Sequence, residues 1–91
     1  MSKLLLVDDN EAFRRVLSTS LTAAGKDVVV ASTGSEALVA AREHAPAEVL
    51  LDLRLGEESG LLLLPELLAT LQAARGDSNA RVVLLTGYAS I

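Results

Sequence analysis

The chain contains no cysteine and no tryptophan, one histidine, and a single residue each of phenylalanine, tyrosine and methionine. Without thiols it can form neither a disulfide framework nor a thiolate metal site. Aromatic residues make up 2% and the net charge is −4. Gripping nucleic acid needs clustered Lys and Arg for phosphates and stacking rings for single strands, so no direct nucleic-acid contact is expected from this segment. Long hydrophobic runs are missing as well. The mean hydropathy is +0.41, yet the longest purely aliphatic block, Leu61 to Leu64, stops at Pro65. That falls far short of the roughly 20 residues a membrane helix requires. The amino terminus offers one lysine and a short apolar run ending in Asp8 and Asp9. This matches neither a signal peptide nor a transit peptide, and the expected location is the cytoplasm with no membrane partner.

What is present is a chain of 91 residues, 51% hydrophobic and 22% charged, which describes one small domain over residues 1–91. A domain this short buries only about 60–68% of the surface its unfolded chain exposes, so its core is near the lower limit of self-sufficiency. Four aliphatic runs without polar alternation, Leu4 to Val7, Val28 to Ala31, Val49 to Leu51 and Val82 to Leu85, suit strands buried on both faces. Helical patterns separate them. The first runs from about Glu11 to Ala24, with Phe13, Val16, Leu17 and Leu21 on one stripe and Gly25 as its stop. The second opens on a Thr33/Glu36 capping box and ends before Pro46. The third spans about Leu61 to Ala74, ending near Gly76; its Pro65 falls in the second turn, where a kink or a delayed start is expected. The order β-α-β-α-β-α-β predicts an α/β fold with a doubly wound parallel sheet and right-handed crossovers.

In open parallel sheets function collects at the carboxyl ends of the strands. Asp8 and Asp9 follow the first strand, Asp52 follows the third and Thr86 closes the fourth. Taken alone, Asp8 and Asp9 read as a solvated turn or a helix N-cap, and Thr86 as an ordinary strand-end residue. Asp52 fits solvent poorly if its strand is central. Together they converge on one edge of the sheet. Three carboxylates there repel by up to about 4 kcal/mol per close pair at an effective dielectric near 20, so the cluster needs a cation. All-oxygen ligation without His or Cys points to Mg2+ or Mn2+ rather than Zn2+.

These residues resemble the receiver domains of two-component response regulators. The resemblance is carried by Leu4-Leu5-Leu6-Val7-Asp8-Asp9-Asn10, Thr33-Gly34-Ser35-Glu36-Ala37-Leu38, Leu50-Leu51-Asp52-Leu53-Arg54-Leu55 with Gly60, and Val83-Leu84-Leu85-Thr86-Gly87-Tyr88. It covers the whole chain, and an acidic pair, a later Asp and a later Thr are seldom found together in this strand and helix context by accident. It implies a flavodoxin-like receiver fold in which Asp52 takes a phosphoryl group from a phosphohistidine on a sensor histidine kinase. Asp9 would bind Mg2+ directly, Asp8 largely through water, and Asp52 and the backbone carbonyl of Arg54 would add ligands. Thr86 would donate to a phosphoryl oxygen as part of the switch. The physical reading agrees, with an in-line carboxylate nucleophile and a metal that neutralises the transferring group. Such a protein is a stoichiometric phosphoacceptor rather than an enzyme.

The match is incomplete. The family's lysine at the end of its fifth strand has no counterpart, because Lys3 and Lys26 both fall at the amino-terminal edge. The family's fourth helix, fifth strand and fifth helix are also lacking, so the sequence reads as a receiver incomplete at its carboxyl end. The run Val82 to Leu85 is then an unpaired apolar edge, and self-association through this fourth strand is expected. Gly56 replaces the family's usual Pro and loosens the loop after Asp52. Glu57 and Glu58 read as solvated loop charges, with added negative potential near the metal as the alternative, His44 as a cation complementing a helix end, and Arg14 and Arg15 as surface residues or kinase contacts. Tyr88 is given no role.

The ending from Leu84 to Ile91 is similar to receivers that precede a DNA-binding helix-turn-helix, which suggests a transcription regulator as parent. Among other classes, a haloacid-dehalogenase-like phosphohydrolase needs a D-x-D-x-T pattern that Asp8-Asp9-Asn10-Glu11-Ala12 does not supply, and no Gly-x-Gly-x-x-Gly follows the first strand for dinucleotide binding. A binding or inhibitory module that is never phosphorylated stays open because of the missing lysine.

Overall fold

The computed structural model describes residues 3–85. Its elements run β1 (Lys3–Val7), α1 (Glu11–Ala23), β2 (Asp27–Ala31), α2 (Gly34–His44), β3 (Glu48–Asp52), β4 (Arg54–Leu55), β5 (Glu58–Ser59), α3 (Gly60–Arg75) and β6 (Arg81–Leu85). The main sheet is parallel with strand order β2-β1-β3-β6, and β4 and β5 form a separate antiparallel pair.

This order explains the layering. From β1 the chain crosses one way to β2, and from β2 it crosses back past β1 to β3. Right-handed crossovers in opposite directions put α1 on one face and α2 on the other. The step from β3 to β6 continues in the second direction, so α3 joins α2, against which it packs. Leu5, Val7, Val49 and Leu51 project into that layer and form the core with Ala37, Ala41, Leu67 and Leu71. Leu4 and Leu6, alternating with them along β1, are buried toward the side of α1.

Burial on both faces holds for β1 and, less completely, for β3, where Val49 and Leu51 are buried and Leu50 on the other face is half-buried, but not for the outer strands. Val30 in β2 is 49% exposed, and Val83 and Leu84 in β6 are each 38% exposed. A continuous aliphatic run records the side chains, not the strand's place in the sheet, and these two strands are the outermost among the described residues. Helix α1 has no buried residue among its own thirteen. No helix among the described residues is long and apolar enough to cross a membrane.

The helix ends follow their local chemistry. Asn10 Oδ1 caps α1 by accepting from the Phe13 N–H at 2.9 Å, and Gly25 adopts φ +92° beyond its last turn. In α2, Thr33 Oγ1 accepts from the Glu36 N–H as expected. The return bond differs, since the Glu36 carboxylate accepts from the Ser32 N–H and hydroxyl, both at 2.9 Å, instead of from Thr33. These two donors hold the Glu36 carboxyl below its usual range.

Helix α3 begins at Gly60, capped by Ser59, and continues through Pro65 without a delayed start. Proline at this position removes the hydrogen bond to the Leu61 carbonyl and crowds it, while Leu67 and Leu71 anchor the later turns in the core. Tertiary burial thus overrides a local breaker. Pro65→Ala should therefore stabilise the protein by about 1–3 kcal/mol, read as a higher denaturant midpoint at unchanged slope.

Candidate functional site

In the parallel register Val7 lies opposite Leu51, so the next residues, Asp8 and Asp52, leave adjacent strands at the same level. This is the point where the strand order reverses, the usual crevice of an open α/β sheet. One carboxylate oxygen from each of Asp8, Asp9 and Asp52 can be chosen so that all lie within 4.8 Å of one another. Asp8 is 2% and Asp52 5% exposed, while Asp9 faces solvent. The N-cap reading of Asp8 and Asp9 is thereby replaced, because the cap is Asn10.

Each buried carboxylate is fixed by a backbone donor two residues on. Asp8 Oδ1 accepts from the Asn10 N–H at 2.9 Å, and Asp52 Oδ1 accepts from the Arg54 N–H at 3.1 Å. The Asp8 main chain is held on both sides: its N–H donates to the Ala31 carbonyl at 3.1 Å, and its own carbonyl accepts from Arg14 Nη1 at 2.8 Å. Arg14, read from sequence as a surface residue, is thus part of the frame of the site. Its guanidinium meets a carbonyl and not a carboxylate. The ion pairs among the described residues, Lys3–Asp27, Arg15–Glu11, Lys26–Glu48 and Arg75–Asp77, leave all three site carboxylates out. Both lysines are committed at the amino-terminal edge, where the sequence placed them.

Burial pushes the Asp8 carboxyl above its usual range, the Asn10 N–H partly opposes this, and the neighbouring Asp52 and Asp9 charges raise it further. At separations of 4.8 Å or less, each pair of charges repels by at least about 3.5 kcal/mol at an effective dielectric near 20. The donor set fits a hard divalent cation: the donors are all oxygen, the charge is concentrated and uncompensated, and Asp8 and Asp52 each keep one oxygen not engaged by a backbone donor.

The loop after Asp52 is tighter than its sequence suggests. Leu55 pairs with Glu58 across a two-residue turn, Gly56-Glu57, in which only Gly56 has positive φ, at +63°. That is the pattern of a type II′ hairpin, with Gly at the first central position. Gly56 therefore does not loosen the loop; it makes a turn whose first residue proline could not occupy, since the proline ring fixes φ near −65°. A Cβ there would lie 3.8 Å from Asp9 Oδ2. Gly60 is required more strictly, because its amide donates to the Leu53 carbonyl at 2.8 Å and a Cβ would fall on the Asp52 carbonyl oxygen. Glu58 is not a free loop charge: its Oε1 accepts from the Gly34 N–H at the start of α2, at 2.9 Å. No local signal joins residues 24 positions apart, whereas the Gly-x turn was readable as a hairpin. Glu57 and His44 are exposed as expected. Thr86 and Tyr88 lie outside the described residues.

A sequence profile of the response regulator receiver domain matches residues 4–91. The acid tolerance regulatory protein ActR of Sinorhizobium medicae is 36% identical over 88 residues, covering 97% of this chain and 42% of that protein. The transcriptional regulatory protein KdpE of Mycobacterium tuberculosis is 42% identical over 91 residues, covering 93% of this chain and 40% of that protein. A solved structure of a response regulator protein from Burkholderia pseudomallei superposes with a TM-score of 0.84 at 34% identity, covering 97% of this chain and 48% of that one. The chain belongs to the response regulator receiver family and has its flavodoxin-like α/β fold. It spans less than half the length of each of these relatives.

The folded state holds the Asp8 proton more tightly than the unfolded chain, whose carboxyl titrates near 3.8. Stability of the metal-free protein should accordingly fall as pH rises from 3.8 through the higher folded pKa. Asp8→Asn, which keeps an acceptor for Asn10, should flatten this slope and stabilise the metal-free protein at pH 7 by about 1 kcal/mol, a Tm rise of about 4–8 °C. Melts in chelator between pH 4 and 8 check both; a mutant of lower Tm at pH 7 contradicts the electrostatic account.

Proposed function

We propose that the chain is a Mg2+- or Mn2+-dependent phosphoacceptor that takes a phosphoryl group from the phosphohistidine of a sensor histidine kinase onto Asp52. The observation that carries this reading is the convergence of Asp8, Asp9 and Asp52 at the switch point of the sheet within 4.8 Å. The Burkholderia relative is described with a phosphorylated aspartic acid and a calcium ion, which supports the same chemistry here.

Asp52 is the nucleophile. Oδ1, held by the Arg54 N–H, has a second lone pair for the cation, which leaves Oδ2 to bond phosphorus as the bond to the histidine nitrogen breaks, and the imidazole leaves with the electron pair. Asp8, Asp9, Asp52 and the Arg54 backbone carbonyl are the proposed metal ligands. A bound divalent cation supplies the positive charge that offsets the carboxylates and the transferring phosphoryl oxygens. The Thr86 hydroxyl donates to a phosphoryl oxygen of the product. The outcome is one acyl phosphate per chain and a change in protein contacts, not turnover. The relatives include transcriptional regulators, and the whole protein is proposed to act in the cytoplasm through such an output. Strand β6, paired only with β3 among the described residues, is proposed as a self-association edge.

One experiment addresses these points together. Native mass spectrometry after incubation with acetyl phosphate and Mg2+ should show one added phosphoryl group per chain, none with Asp52→Asn or with excess chelator, and dimers growing with concentration. Absence of the adduct under all conditions leaves a binding module that is never phosphorylated, the reading favoured by the engagement of Lys3 and Lys26 at the far edge. Repeated turnover indicates a hydrolase. A monomer at every concentration removes the β6 edge from the account.

A further inference from the structure

The β4–β5 hairpin has only two bridged residue pairs, and a lone two-stranded hairpin is marginal in water. Its position must come from anchors outside it. The outgoing arm is fixed by Leu55, 3% exposed in the core, and by the Arg54 N–H bonded to Asp52 Oδ1. On the return arm, Ser59 caps α3 and the Gly60 N–H reaches back to the Leu53 carbonyl. Between these arms the turn at Gly56 passes beside Asp9. The described side-chain bond that ties the turn end of the return arm to another element is the one from Gly34 N–H to Glu58 Oε1.

This bond is one of several that hold the start of α2. That helix already has Thr33 as its N-cap, Glu36 returning to Ser32, and Ala37, Ala40 and Ala41 buried in the core. The hairpin has no comparable reserve. The α2 N-terminus is also the favourable place for a carboxylate, where aligned peptide dipoles meet its charge. Gly34 permits the approach, since a Cβ there would lie 2.7 Å from Glu58 Oε1.

We propose that Glu58 is a positioning residue for the cation site: by bonding the first amide of α2 it fixes the hairpin that carries the Arg54 carbonyl and passes Asp9. The inference rests on the proposed cation site at Asp8, Asp9 and Asp52 and adds a residue outside it. Removing the bond leaves the three carboxylates in place but lets the segment bearing the fourth oxygen ligand move, so affinity for the cation falls while the fold persists.

The test is Mg2+ titration by calorimetry of the protein and three variants, beside metal-free melts and the amide NMR signal of residue 34. Glu58→Ala should weaken Mg2+ binding by about tenfold, the lower end for partners that orient metal ligands. Glu58→Gln keeps an oxygen acceptor and should restore affinity to within about twofold, with the Gly34 amide shift returning toward its original value. Gly34→Ala is decisive against a merely structural role. Alanine is the better helix residue, which offsets the bond its amide loses when the new methyl displaces the Glu58 carboxylate, so the metal-free Tm should change little while Mg2+ binding weakens. This variant also decides the matter if Glu58→Ala does not fold. Unchanged Mg2+ affinity in Glu58→Ala or Gly34→Ala, with binding intact in the parent protein, overturns the role of Glu58 alone. No Mg2+ binding by the parent protein overturns the cation site and the inference with it.

Discussion

Val7 stands opposite Leu51 in the β1–β3 ladder, and one further step along both strands sets Asp8 beside Asp52. Adjacent strands are about 4.8 Å apart, and neither carboxylate can turn away without giving up its backbone donor, the Asn10 or the Arg54 amide. The fold therefore holds two buried acids together, with a third beside them, against their mutual repulsion. Folding alone does not explain such an arrangement, since apolar residues at these positions would be more stable. The arrangement makes sense as a stability cost borne for a function that brings in positive charge.

The backbone bonds around the site limit that cost. The Asn10 and Arg54 amides each take one carboxylate oxygen, and the Arg14 guanidinium steadies the Asp8 carbonyl without neutralising the acid. A lysine or arginine paired directly with Asp8 or Asp52 would relieve the repulsion and also close the site to a cation. The lysines of the chain are instead spent at the opposite edge, on Asp27 and Glu48.

Much of this was legible in the sequence, and the pattern of success is physical. The aliphatic runs gave four strands because parallel strands need no polar face, and Thr33, Gly25 and Gly76 marked helix ends because capping is local chemistry. Asp8, Asp9 and Asp52 could be grouped because strand ends in this topology share an edge. The misreadings involve relations that sequence proximity does not carry. Burial of β2 and β6 depends on strand order. Glu58 is exposed, as its sequence context suggests, but its bond and that of Arg14 are not legible because their partners, a helix amide and a main-chain carbonyl, have no side-chain signature. Of the kink or delayed start that Pro65 suggests, the delay does not occur, because burial of Leu67 and Leu71 outweighs one lost bond. Gly56 in place of proline suggests a looser loop, whereas its φ of +63° makes a turn of its own.

Gly60 gives the site mechanical reach. Because its α-carbon rests directly on the Asp52 carbonyl, with no side chain between, α3 starts from the main chain of the site residue as a lever does from its fulcrum. Sixteen residues at 1.5 Å each make an arm of roughly 24 Å, so a tilt of about 5° at Gly60 displaces the Arg75 end by about 2 Å. Arg75 in turn grips the Ala45 carbonyl at the end of α2, at 3.3 Å, so the far ends of both helices would travel together. A displacement too small to disturb packing at the carboxylates can thus become a change of surface shape on the opposite side of the molecule.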